Sequence, residues 1–196
     1  MKNFLFFMVA ILFSPSVMAK DIHNPFAIDK PWGGPAPYAE RLHPGIDYGV
    51  ASGAPVIVAA KGKVVLIKDF GQDGWEVSVA HGNHFRSVYI HLSRVLVEVG
   101  QIVKRGQMIA LSGESNSWNK PHYAHLHFGI CKIGPGHDCQ KFSESLDPNL
   151  FWLDGKPLCF EPQRDYSSFT QKDLTLPLAC GDHAKELVRT VAGSAK

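Results

Sequence analysis

"HYAHLHFGI", residues 122–130, places three histidines within six positions. Histidine is the commonest metal ligand and the side chain that titrates nearest neutral pH, so three so close together call for a chemical reading. What they can do depends on the backbone that carries them. Phe128, Gly129, Ile130 and Cys131 follow as an apolar run that suits a strand better than a helix. On a strand, side chains alternate, so His125 and His127 share one face and His122 points to the other. Leu126 and Phe128 are then expected to pack behind the pair.

Upstream, from Gly45, the texture is similar: "PVIVAA", "GKVVLIKDF", "WEVSVAHG", "RSVYIHLS" and "GQMIALSG" are short runs rich in Val and Ile, separated by Gly, Asn and Asp. Such runs predict a mainly β domain with a compact antiparallel sheet or sandwich core. No Rossmann or P-loop glycine pattern occurs. Helical periodicity is confined to "HAKELVRTVAG", where Leu187, Val188 and Val191 can form one face of a short helix. Residues 20–42, with "NPFAIDKPWGGPAPY", are expected to be irregular because Pro and Gly dominate them. Residues 151–196 change character and are expected to form a disulfide-tied extension of a domain spanning 43–150.

The 196 residues, 45% hydrophobic and 19% charged, fit one globular domain with modest extensions. "MKNFLFFMVAILFSPSVMA", residues 1–19, has Lys2, an apolar run too short to span a bilayer and a small-residue ending, the pattern of a signal peptide cleaved after Ala19. A protein released in this way would be periplasmic or secreted, with no stable membrane association. The net charge of +2, or about +1 once Lys2 leaves, is too weak to argue for nucleic acid. Four cysteines in an exported chain predict two disulfides, and the least loop closure favours Cys131 with Cys139 and Cys159 with Cys180.

A second histidine-bearing stretch is "LHPGIDYG", with His43 and Asp47 four residues apart. Pro44-Gly45 between them argues against a helix, so a turn leading into a strand should make the two side chains converge. Two histidines and a carboxylate make a common catalytic zinc set, three protein ligands leaving one position open. His43, Asp47 and one of His125 or His127 would fill it. His91, closing the apolar strand "SVYIHLS", is a further candidate.

Read in order, "HPGIDYG", "GWEVSVAHGNHFRSVYIHLS", "GQIVKRGQMIALSG" and "HLHFGI" resemble the lysostaphin-like, or LytM-type, zinc endopeptidases that cleave peptide bonds in bacterial peptidoglycan. The resemblance covers His43 to Ile130. It implies that His43, Asp47 and His127 hold one Zn2+ ion, that His91 and His125 are catalytic without binding metal, and that His122 is a bystander. His81 falls where the family often has histidine and is read as structural.

The chain also departs from the pattern. Gly129 stands where the family reads Glu, and Tyr123-Ala124 replace the usual Gly-Pro before the His-x-His. Tyr38 lies where a tyrosine helps polarise the substrate in some relatives, and Tyr48, Trp75 and Trp118 can line a groove or pack in the core. The implied partner is the peptide of the bacterial wall, met by a monomer. The alternatives are a secreted protease acting on host or competitor proteins, and a non-catalytic wall-binding or amidase-activating module. The extension at 156–196 could also narrow the groove.

Overall fold

The computed structural model describes residues 25–35, 42–82, 85–117, 120–133, 139–170 and 172–193. The expected signal peptide, Tyr38 and Trp118 lie outside them. In chain order the strands are β1 (Ala27–Lys30), β2 (Gly45–Gly49), β3 (Pro55–Ile57), β4 (Gly62–Asp69) and β5 (Trp75–His81). They continue with β6 (Phe85–Val95), β7 (Ile102–Val103), β8 (Met108–Ser117), β9 (Lys120–Lys132) and β10 (Ser145–Leu146), and are followed by the α-helix α1 (Gly181–Gly193). Among the described residues these strands form one antiparallel sheet, in the order β1-β2-β9-β8-β6-β5-β4-β7, with β3 paired to β8 and β10 to β9.

The sheet forks where the histidines lie. The first part of β6 pairs with β9, ending at Ile90 opposite His127. Its second part pairs with β8, beginning at Leu92 opposite Ser112, and β8 in turn meets β9 with Gly113 opposite His125. His91 occupies the change of partner at a positive φ of 64°, a conformation L-residues rarely adopt, and the β5–β6 register shifts there. Gly113 makes room for this bulge: a Cβ on it would lie 2.8 Å from both His91 O and Ser93 N. His91 was expected to end its strand. It lies inside β6 instead, at a bulge that aims its side chain away from the regular alternation.

Alternation along β2 and β9 separates two faces. Ile46, Tyr48, Leu126 and Phe128 point into the main core, none more than 2% exposed. Each such side chain contributes roughly 1.5–3 kcal/mol by burial. Asp47, His125 and His127 point the other way, opposite one another in register: Asp47 faces His127, and Gly49 faces His125. Tyr48 therefore belongs to the core and does not line a groove. Trp75 is partly exposed at the start of β5, opposite Leu92 and beside the His91 bulge.

Both expected disulfides are present, Cys131–Cys139 and Cys159–Cys180. The C-terminal residues share the main core: Trp152, Leu174, Leu176 and Leu178 are buried within it, and the Trp152 ring stacks on Phe128. Arg105 fastens this segment by donating to the carbonyls of Ala59, Thr170 and Asp173. Its buried leucines thus cover the face opposite Asp47 and the histidine pair.

Two further expectations need correction. The N-terminal segment is not wholly irregular, since Ala27–Lys30 pairs with β2 as an edge strand. In α1, Val188 is exposed rather than packed, while His183 approaches Phe160. No helix among the described residues is long and apolar enough to cross a membrane.

Candidate metal centre

Three side chains from β2, β9 and the turn before β2 meet at one point. His43 Nε2 lies 3.1 Å from Asp47 Oδ1 and 3.0 Å from His127 Nδ1, and His127 Nδ1 lies 2.9 Å from Asp47 Oδ1. All three residues are buried. His43 Nδ1 faces the carbonyl of Pro31 at 3.2 Å; since a carbonyl only accepts, Nδ1 carries the hydrogen and Nε2 the lone pair of the neutral ring. His125 and His91 are pinned in the same way, their Nδ1–H groups donating to Tyr123 O at 3.0 Å and Asp73 O at 2.9 Å. In each of these three rings a backbone carbonyl holds Nδ1 and leaves Nε2 as the basic nitrogen.

Burial by itself would raise the Asp47 carboxyl, but the His127 and His43 imidazoles packed against it outweigh that effect and hold the group well below the usual carboxylate range. Asp47 is therefore an anion at neutral pH. The single proton that His127 Nδ1 can offer satisfies one edge of the triangle, and the His43–Asp47 edge still sets lone pair against lone pair. A cation resolves that conflict. Ligand atoms about 2.1 Å from a tetrahedral Zn2+ stand roughly 3.4 Å apart, within a few tenths of an ångström of these separations, and the N, N, O donor set suits zinc. Among the described residues this is the one group of acidic, histidine or cysteine side chains that converges so closely.

His125 and His91 flank the triangle without joining it. His125 Nε2 lies 3.8 Å from Asp47 Oδ2, the carboxylate oxygen that His43 and His127 do not approach. The His91 and His125 rings are 4.4 Å apart between centroids, and His91 meets His127 edge-on at 6.3 Å. Burial lowers the His125 pKa, partly offset by Asp47, and pushes His91 down to about 3 with the neighbouring His125 and His127 adding to the effect. Both rings are neutral at pH 7, each with the lone pair on Nε2.

The five residues singled out in the sequence thus come together. His122 does not: it is exposed on β9 and pairs with Glu114 at 3.1 Å. His81 is buried away from the cluster, against Lys61 O and Ser87 Oγ. Two neighbours escaped the sequence reading. Lys30 Nζ reaches Asp47 Oδ2 at 3.5 Å, and nothing in a Pro- and Gly-rich stretch announces such a contact. Tyr123 stacks on His125, and it had a signal: the alternation that joins His125 to His127 places Tyr123 on the same face.

With this geometry in view, the chain belongs to peptidase family M23, whose family model matches residues 41–141. All five site residues lie within the match. A curated relative, the peptidoglycan DD-endopeptidase ShyB of Vibrio cholerae, is 38% identical over 88 residues, 45% of this chain and 20% of that protein. Among solved structures, LytU superposes with a TM-score of 0.56 at 30% identity, covering 70% of this chain and 91% of that one. A zinc-containing peptidase from Vibrio cholerae gives 0.51 at 28% identity, covering 65% and 37%. The chain spans 19 to 23% of the length of the first curated relatives it matches.

Proposed function

We propose that this protein is a zinc-dependent endopeptidase that hydrolyses peptide bonds in bacterial peptidoglycan, acting in the periplasm or outside the cell. The observation that carries the reading is the triangle of His43, Asp47 and His127 with two neutral histidines beside it. Membership of family M23 and the DD-endopeptidase relative support the substrate class. The leader-like residues 1–19 and the two disulfides support the location.

Zinc, when bound, supplies Lewis acidity and activates water at neutral pH. The chain's own residues do the rest. His43, Asp47 and His127 hold the ion. His125 Nε2, beside Asp47 Oδ2, is placed to take the proton of the attacking water and pass it to the leaving amine. His91, in ring contact with His125, is placed to share in the proton transfer and in stabilising the developing oxyanion. The bulge at His91 serves this role by turning an imidazole in the middle of a strand toward the ligand face.

The test is metal content and digestion of purified walls, measured together on the native chain and on His125→Ala. The reading expects about one zinc per chain in both and peptide amines released by the native chain alone. A native chain that holds zinc, spares every wall type and cuts glycine-rich proteins would belong to the protein-directed alternative. One that binds no metal would be a binding module.

A further inference from the structure

His125 can serve as described only if its ring keeps one orientation, so the following rests on the hydrolase reading. Tyr123 lies two residues before it on the same face of β9, at a site where the chain departs from its family's usual Gly-Pro. Its ring stacks on the imidazole, with centroids 4.1 Å apart and planes inclined by 26°. Its carbonyl accepts the Nδ1–H of the same imidazole. Its hydroxyl donates to Asp29 Oδ2 at 2.8 Å, and Asp29 belongs to the edge strand β1. Gly49, which stands opposite His125 in the β2–β9 register, admits that carboxylate: a Cβ there would lie 2.9 Å from Asp29 Oδ2. Lys30 Nζ completes the arrangement, 5.3 Å from the Tyr123 ring centroid.

We propose that Tyr123, anchored through its hydroxyl to Asp29, is a positioning residue that holds the His125 ring in its working orientation. The carbonyl bond alone fixes one edge of the imidazole and permits the ring to rock about it. A stacked aromatic face limits that rocking, and the Asp29 anchor keeps the aromatic face in place. The hydroxyl is committed to Asp29 and the ring to His125, so Tyr123 acts through its neighbour and not on substrate. Displacements on the order of 1 Å at a catalytic group cost roughly 10²-fold in rate, which sets the scale for losing the brace.

The experiment compares Tyr123→Ala, Tyr123→Phe, Asp29→Ala and the double variant Tyr123→Phe/Asp29→Ala in the full, zinc-loaded chain, following release of peptide amines from purified walls. Tyr123→Ala should lower kcat by about 10- to 100-fold with KM and zinc content unchanged. Tyr123→Phe and Asp29→Ala should each lower kcat by about two- to tenfold, and the double variant should fall no further than either. A rise in KM at constant kcat, or fully multiplicative losses in the double variant, would overturn the proposal. A second readout does not depend on turnover: long-range 1H–15N spectra should show one sharp Nδ1–H tautomer for His125 in the native chain and in Tyr123→Phe, and averaging in Tyr123→Ala. An unchanged His125 signal in Tyr123→Ala overturns the brace. A native chain inactive on walls whose His125 signal nonetheless averages in Tyr123→Ala supports the brace and removes the hydrolase reading instead.

Discussion

Two groups of histidines share one sheet: His81 on β5, which is buried, and the four rings around Asp47, of which His43, His125 and His127 are buried and His91 is half-buried. At His81, Nδ1–H meets Lys61 O at 3.0 Å and Nε2 meets Ser87 Oγ at 2.7 Å, so each nitrogen has a fixed partner of its own. Ser87 is in turn hydrogen-bonded to the Tyr89 hydroxyl, which accepts from Ala59 N–H at 3.0 Å. Around Asp47, by contrast, basic nitrogens from separate elements converge on a single carboxylate with too few protons between them. Burial is common to both. What marks a site is the unresolved convergence of lone pairs, which a cation or a reacting proton resolves, and a histidine whose needs the fold has already met is structural.

The most severe way to break this contrast is Asp47→Ala. Without the anion at the centre, metal content should fall from about one ion per chain to none by elemental analysis, and hydrolysis with it. His91→Ala should leave the ion in place and cost about 10²- to 10⁴-fold in turnover, separating proton handling from metal holding. Leu176→Ala, on the opposite face of the sheet, should cost about 2–5 kcal/mol in denaturant melts while metal stoichiometry is kept, since Leu176 is fully buried in the core that the C-terminal residues complete.

His81 yields a pH dependence of stability at a position away from Asp47. Burial pushes its pKa from 6.5 down to about 4, so between those values the unfolded chain binds a proton that the native chain refuses. The contribution is fully present above pH 6.5 and is lost as pH falls toward 4, by roughly 3 kcal/mol. Melts of the native chain and His81→Gln in the presence of chelator should differ in slope across that window, the variant being flatter. The smallest effect is expected at the exposed His122: His122→Ala should shift stability by no more than about 0.5 kcal/mol and leave metal content unchanged. A metal loss in that variant would mean that clustering in sequence matters more than convergence in space.

Much of this was legible beforehand. The alternation of "HYAHLHFGI" sorts His125 and His127 from Leu126 and Phe128, and the structure places the first pair on the face of Asp47 and the second in the core. Pro44-Gly45 correctly excluded a helix between His43 and Asp47, which meet through a turn and β2. His91 was legible as a candidate but not as a bulge. Its position depends on β6 leaving β9 for β8, a change of partner no local pattern records. Lys30 escaped notice because Pro and Gly nearby hide a four-residue edge strand whose stability comes from pairing with β2 rather than from its own residues.

The sequence by itself determined which residue types were available and on which side of their own strand each would stand, because alternation is a local property of an extended backbone. It also carried the order and spacing of motifs that mark family M23. Only the tertiary structure decided which side chains meet: the triangle at Asp47 joins residues 43, 47 and 127, and the brace at His125 joins 29 to 123. Those encounters are set by register across the sheet, by the fork between β6, β8 and β9, and by glycines that let neighbouring strands approach. Each is a relation between distant segments, fixed by burying the core and pairing backbone groups across the whole chain at once.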